Sequence, residues 1–147
     1  MGLLRLLLGK KKVTPEVKNA WNKEVEHMQS LCRKINSTDS VKTFFDSLDD
    51  LLESYNRLSV LEKKYDWKHG KYRVDVSVAK SLAKSLKAKP SDEKACVSRA
   101  YERMKRDCVK LSTQKAKENK RERFFTELEY YYGRFDKSTI KYIESLK

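Results

Sequence analysis

The sequence predicts an all-α fold: an antiparallel bundle of three to four helices, with one long helix in the C-terminal half and a short terminal helix. The strongest indication is an apolar stripe over residues 41–65, whose members recur almost wholly at intervals of three and four. Such spacing places side chains on one face of a helix, whereas a strand would divide them between two faces. Only four Gly and two Pro interrupt the 147 residues, which favours long helices and few turns. The stripe consists of Val41, Phe44, Phe45, Leu48, Leu51, Leu52, Tyr55, Leu58, Leu61 and Tyr65.

A first helix is predicted ahead of this stripe. It begins at Thr14–Pro15–Glu16, since Thr can cap a helix, Pro fits the first turn and an acid favours the positive end of the helix dipole. It should end near Asn36, where residues 36–40 form a short connector rich in capping side chains. So short a connector makes the first helix and the stripe helix antiparallel neighbours, and Gly70 is the expected terminator of the stripe helix.

Residues 71–89 carry two patterns. From Tyr72 to Val78 apolar and polar residues alternate, as in a strand, whereas the apolar residues from Val78 onward keep helical spacing. A lone strand would have no partner, so we expect an extended stretch followed by a short helix from about Val76 to Ala88. A strand in place of that stretch stays open as the alternative.

The longest predicted helix runs from Asp92 to about Tyr132, with Ser91 as its cap. Its middle, residues 112–123, holds a single apolar residue but many good helix formers. We therefore expect a continuous helix that is exposed on most sides in its middle. The short final helix should start near Asp136.

The apolar faces of these helices predict one core. The length of the chain allows a single domain over residues 13–147, preceded by a basic and apolar segment over residues 1–12. The predicted core comprises Trp21, Val25, Met28, Phe44, Leu48, Leu51, Tyr55, Leu58, Met104, Leu111, Phe125 and Leu128.

The N-terminal segment predicts contact with an anionic membrane surface. No stretch approaches the roughly 20 apolar residues needed to span a bilayer, and the segment lacks the order of a signal peptide. Leucines followed by lysines can still bind the interface, the leucines entering it and the lysines meeting the headgroups. The alternative is that the leucines pack on the open end of the bundle. We expect a cytoplasmic protein, peripheral at the membrane through Leu3, Leu4, Leu7, Leu8, Lys10, Lys11 and Lys12.

A net charge of +13 raises nucleic acid as another partner. Residues 65–73 mix aromatic and basic side chains, as base-stacking surfaces do, and residues 105–123 could present a basic helical face to phosphates. The alternatives are a hydrophobic plug over the bundle end and a solvated helical face with ion pairs. The predicted contacts are Trp67, Lys68, Lys71, Arg73, Lys117, Lys120 and Arg121.

No enzyme signature is present in the sequence. It has no Gly-rich phosphate loop, no GxSxG and no HExxH, so we predict no catalytic and no cofactor-binding residues. Neither His27 nor His69 is followed by a ligand partner three or four residues later in the chain, which argues against a metal site. Three cysteines cannot form a closed set of disulfides, and Cys32 and Cys96 are predicted to be small core residues in a reducing compartment.

Two stretches resemble a group of uncharacterised small helical proteins from Gram-positive bacteria and their mobile elements. The first runs from Lys42–Thr43–Phe44–Phe45 through Leu51–Leu52–Glu53 to Leu58, and the second joins residues 121–131 to residues 140–143. The group similarly shows a "TFF…LL..L" helix and an "R..RFF.EL..Y…YI" ending. The resemblance implies a bacterial, intracellular, all-helical protein and carries no activity. From the residues themselves, we predict a non-catalytic helical interaction module with a protein partner, and nucleic-acid binding as the alternative.

Overall fold

The computed structural model describes residues 9–86 and 89–147, without the side chain of Ser85. Helices dominate this part of the chain, which confirms the all-α class. A two-residue parallel strand pair, in which Lys11 pairs with Tyr65 and Lys12 with Asp66, was not predicted. The elements are β1 (Lys11–Lys12), α1 (Pro15–Ser37), α2 (Val41–Lys64), β2 (Tyr65–Asp66), α3 (Ser77–Ala83) with a 3₁₀ turn (Lys84–Leu86), α4 (Pro90–Val109), α5 (Gln114–Glu129) and α6 (Lys137–Leu146).

The prediction of one long helix in the C-terminal half is wrong, because a turn over residues 110–113 interrupts the helix and divides it into α4 and α5. The last turn of α4 tightens, with the amides of Lys110 and Leu111 donating to carbonyls three residues back. Thr113 then adopts an extended conformation and caps α5, its hydroxyl accepting the amide of Ala116 at 3.1 Å. Because of this break, α5 packs against α4. A single straight helix over the same residues would be about 60 Å long, and its apolar C-terminal end could not pack against its first half.

We expect Thr113→Ala to lower the free energy of unfolding by about 1 kcal/mol, because α5 loses its cap. Ser112→Ala is the matched control, since the Ser112 side chain is exposed and makes no hydrogen bond within the described residues. Urea unfolding followed by circular dichroism measures both. Equal, small effects at the two positions would show that the hydroxyl of Thr113 does not hold the start of α5.

Other boundaries differ less from the predictions. Helix α2 ends at Lys64, where β2 begins, so Gly70 does not terminate it; Gly70 lies in the following loop with φ of 105°. Residues 71–76 form turns and irregular backbone rather than a strand, and α3 begins at Ser77, as the second pattern in this region predicts. Lys89, rather than Ser91, is the N-cap of α4, with Pro90 in its first turn.

Contacts group the chain into two compact units, each built from non-contiguous stretches. Of the described residues, 9–33 and 47–86 belong to unit 1, and 34–46 and 89–147 belong to unit 2. Unit 1 buries Trp21, Met28, Leu31, Leu48, Leu51, Leu58 and Trp67, among others, and unit 2 buries Ile35, Phe44, Phe45, Cys96, Val97, Met104, Phe125, Leu128, Phe135 and Ile143. Single-domain organisation and the antiparallel bundle stay predictions.

The predicted core residues are buried except for Val25, Tyr55 and Leu111, which are half-buried. One member of the apolar stripe departs further, because Leu52 is 49% exposed. Ser54 is buried in the part of α2 that belongs to unit 1, and its hydroxyl donates to Glu24, which also accepts two hydrogen bonds from Arg57. The buried face therefore follows Leu51, Ser54 and Leu58, and Leu52 points away from it.

Candidate interaction site

Unit 2 contains an open cleft of about 680 Å³. The start of α2 and the residues before it form one wall, and α4, α5 and the turn after α5 form the rest. A volume of this size lies within the range of natural ligand and peptide sites. The lining residues are Asp39, Ser40, Val41, Lys42, Ala100, Arg103, Met104, Asp107, Lys120, Arg123, Phe124, Thr126, Glu127, Leu128, Tyr130 and Tyr131.

Aromatic side chains shape one part of the cleft. The ring of Tyr131 stacks on Phe45, with ring centroids 5.2 Å apart and planes within 15° of parallel. This contact fixes Tyr131, whereas Tyr130 packs edge-on against Tyr131 and is 86% exposed. An exposed tyrosine offers a large apolar surface with a polar tip at little conformational cost, which suits contact with a partner.

Ion pairs neutralise much of the charge along the cleft. Arg103 contacts Asp39 at 3.0 Å. Lys120 lies 4.0 Å from Asp107. Arg123 and Glu127 have no ion-pair partner within the described residues, although four residues separate them on α5. The cleft therefore presents one uncompensated charge of each sign beside an aromatic surface, a combination that favours binding of a polar polypeptide over a purely apolar ligand.

The predicted base-stacking residue Trp67 is buried instead. Its ring is 4% exposed and packs against Trp21 with centroids 4.7 Å apart, and its indole N–H donates to the carbonyl of Leu61 at 3.1 Å. Burial of the ring removes it as a stacking platform, and the plug interpretation accounts for it. The three other predicted contacts of this stretch, Lys68, Lys71 and Arg73, are exposed.

The predicted contacts in the second stretch are only half-exposed. Arg121 donates to the hydroxyl of Tyr101 at 3.2 Å and to the carbonyl of Leu146 at 2.7 Å, and its guanidinium lies over the ring of Phe125. It therefore holds α4, α5 and the end of α6 together, which makes it a structural residue of unit 2. Lys120 is the ion-pair partner of Asp107, and Lys117 has no ion-pair partner in the described ranges.

Part of the predicted membrane contact can be placed. Lys10, Lys11 and Lys12 are exposed, and β1 holds the last two beside β2. Leu3, Leu4, Leu7 and Leu8 lie outside the described residues. Among the helices described, none combines the length and the apolar character needed to cross a bilayer.

The cysteines and histidines do not assemble a reactive centre in the described part of the chain. Cys96 is buried, as predicted, and burial raises the pKa of its thiol to about 11. Cys32 is half-buried, with Sγ 3.9 Å from the carbonyl of Leu82. No group of three or more His, Cys, Asp or Glu side chains in residues 9–86 and 89–147 is placed to hold a metal ion.

Sequence reasoning missed the cleft and its residues Tyr130 and Arg103, and it included Arg123 only in the basic stretch of residues 105–123. The usable signal was the pair Ser112–Thr113 ahead of a run of helix formers, which is a helix start and places a turn between two helices. Comparison of the chain with protein family models, with curated proteins and with solved structures found no match.

Proposed function

We propose that this chain is a non-catalytic helical interaction module that binds a segment of a protein partner in the cleft of unit 2. The observation that carries the proposal is the pairing of a 680 Å³ cleft with the exposed ring of Tyr130 and the uncompensated Arg123 beside it. Aromatic residues and Arg are enriched where proteins bind one another, and they dominate the binding free energy there.

Site-specific photo-crosslinking tests this proposal. With benzoylphenylalanine at position 130 in the native host cell, we expect a discrete adduct, because the ring at this position faces the partner. The matched control places the same group at Lys141, which is exposed on α6 and does not line the cleft. An Arg123→Glu change should remove the adduct at position 130. Identical adducts at both positions, or none at position 130, would contradict the proposal.

Attachment to an anionic membrane surface is the other part of the proposal. The exposed Lys10, Lys11 and Lys12 support it, since each cation near such a surface contributes about 1 kcal/mol of attraction. The leucines that would enter the interface are the four outside the described residues.

Nucleic-acid binding is the second candidate function. The observation that favours it is the distribution of unpaired cations at the junction of α4 and α5, which is separate from the cleft lining.

A further inference from the structure

The turn between α4 and α5 carries an unbalanced positive charge. We define the basic corner as Arg106, Lys110 and Lys115, which are all exposed. Within the described part of the chain, none of the three forms an ion pair or a side-chain hydrogen bond. Three exposed cations without partners therefore lie in or beside the four-residue turn over residues 110–113.

The other cations of residues 105–123 are used differently. Lys105 pairs with Glu102 at 3.0 Å, and Lys120 and Arg121 make the internal contacts described above. Lys117 is half-buried and Arg123 lines the cleft. The structure thus separates Lys105, Lys120 and Arg121, which have partners within unit 2, and Arg123, which lines the cleft, from three exposed cations at the turn that have no ion-pair partner among the described residues.

Helix geometry brings two of the three cations close together. Lys110 directly follows α4 and keeps a helical conformation one turn after Arg106, so their Cβ atoms lie about 6 Å apart on the same face. Lys115 follows Lys110 by five residues, which limits their separation to about 18 Å even for an extended chain. Three acids stand nearby in the chain, and none forms an ion pair with the corner. Asp107 lies 4.0 Å from Lys120, Glu102 pairs with Lys105, and Glu118 accepts a hydrogen bond from Gln114.

The helix dipole adds to this charge. The first turn of α5 contains no acidic side chain and includes Lys115, although acids are the residues that the positive end of a helix favours. Repulsion between the corner cations and that helix end is unfavourable in the free protein. A polyanion bound at the corner would relieve it.

We infer that the basic corner binds the phosphate backbone of duplex nucleic acid without reading its sequence. The charges fit a rod that carries closely spaced negative charges, and phosphate contacts by Lys and Arg need no base recognition. A membrane fits less well, because Val109, 80% exposed, is the one large hydrophobic side chain exposed at the corner among the described residues, and insertion into an interface needs more apolar area. This inference rests on the nucleic-acid candidate and is independent of the cleft.

The test uses the full chain and a fluorescein-labelled DNA duplex of about 20 base pairs, with binding followed by anisotropy across a salt series. We expect the triple change Arg106→Gln, Lys110→Gln and Lys115→Gln to weaken binding about tenfold or more. The slope of log K against log salt should fall in magnitude by about 2.7, since each of the three lost phosphate contacts removes roughly 0.9. The control changes Lys23, Lys34 and Lys141 to Gln, which removes the same charge from exposed residues elsewhere and should weaken binding by less than about threefold.

Three results would overturn the inference. Equal weakening by the two triple changes would mean that binding follows net charge alone. Binding to phosphatidylserine vesicles that depends on the corner, with no duplex binding, would assign the corner to a membrane. Binding to neither would remove the nucleic-acid candidate and leave the cleft proposal standing, because photo-crosslinking at position 130 tests that proposal separately. Circular dichroism of each variant, and the single change Lys110→Gln, keep loss of folding apart from loss of binding.

Discussion

Replacing Leu51 with Ala is expected to lower the free energy of unfolding by about 2–5 kcal/mol, the cost of a cavity at a fully buried leucine. Leu51 is 0% exposed and lies in the core of unit 1. The adjacent Leu52 is 49% exposed, so Leu52→Ala removes the same atoms from a side chain that buries much less. Its expected cost is below about 1 kcal/mol. Urea unfolding at fixed temperature measures both, and the two curves should differ mainly in midpoint.

The adjacent pair is a sharp control because both positions share one helix, one chemistry and one change in helix propensity. Alanine favours the helix slightly over leucine, so propensity cannot produce a loss at either position. Similar losses at both positions would mean that α2 is rotated about its axis relative to the structure. A loss below about 0.5 kcal/mol at Leu51 would place the stripe in solvent.

This pair also shows how far periodicity determines a fold. Spacing by threes and fours identified α2 and its buried face, because any helix must bury an apolar stripe of that width. It could not choose between Leu51 and Leu52, which are 100° apart on the helix and both lie near the stripe. In the structure the buried face takes in Leu51 and Ser54 and leaves out Leu52, and the hydroxyl of Ser54 donates to Glu24, thirty residues away. A sequence pattern does not encode which distant side chain will satisfy a polar group.

The break between α4 and α5 was hidden for a related reason. The polar run over residues 112–123 consists of good helix formers, and propensity therefore favoured continuity. What ends α4 is a local competition, since the hydroxyl of Thr113 can replace a backbone acceptor and cap a new helix. Tertiary packing of α5 on α4 stabilises the broken arrangement, and it includes the contact of Phe124 with Tyr101, whose ring centroids are 6.0 Å apart. Of these two causes, only the capping residue Thr113 is visible in the sequence.

The candidate sites likewise combine features that the sequence shows with features that depend on tertiary contacts. Sequence reasoning found the basic stretches, because charge is additive and needs no structure. It could not tell an engaged cation from a free one. It therefore placed Arg106 and Lys110 in the same basic stretch as Arg121, and it selected as a contact Arg121, which is bound to Tyr101 and Leu146. The cleft depends on residues about 90 positions apart in the chain, such as Asp39 and Tyr130, and nothing local marks it.

Glu93 carries a buried carboxylate, which is only 4% exposed and lies in the core of unit 2. Its Oε1 accepts the amide of Asp136 at 2.9 Å and the hydroxyl of Thr139 at 2.8 Å. Asp136 is the N-cap of α6, so the carboxylate ties the first turn of α4 to the start of α6, where the helix dipole favours negative charge. Burial of a carboxylate is costly unless such donors compensate it.

We expect Glu93→Ala to lower the free energy of unfolding by about 2–5 kcal/mol, because two donors at the start of α6 lose their acceptor and each costs about 1–3 kcal/mol. Glu93→Gln should lose less, since an amide oxygen can still accept, although without the strength of a charged acceptor. The control is Glu102→Ala, which removes an exposed acid from the same helix and its surface pair with Lys105, for at most about 1 kcal/mol. A double-mutant cycle with Thr139→Val isolates the coupling of Glu93 to that hydroxyl, and coupling near zero together with equal losses at Glu93 and Glu102 would refute the role assigned to the buried carboxylate.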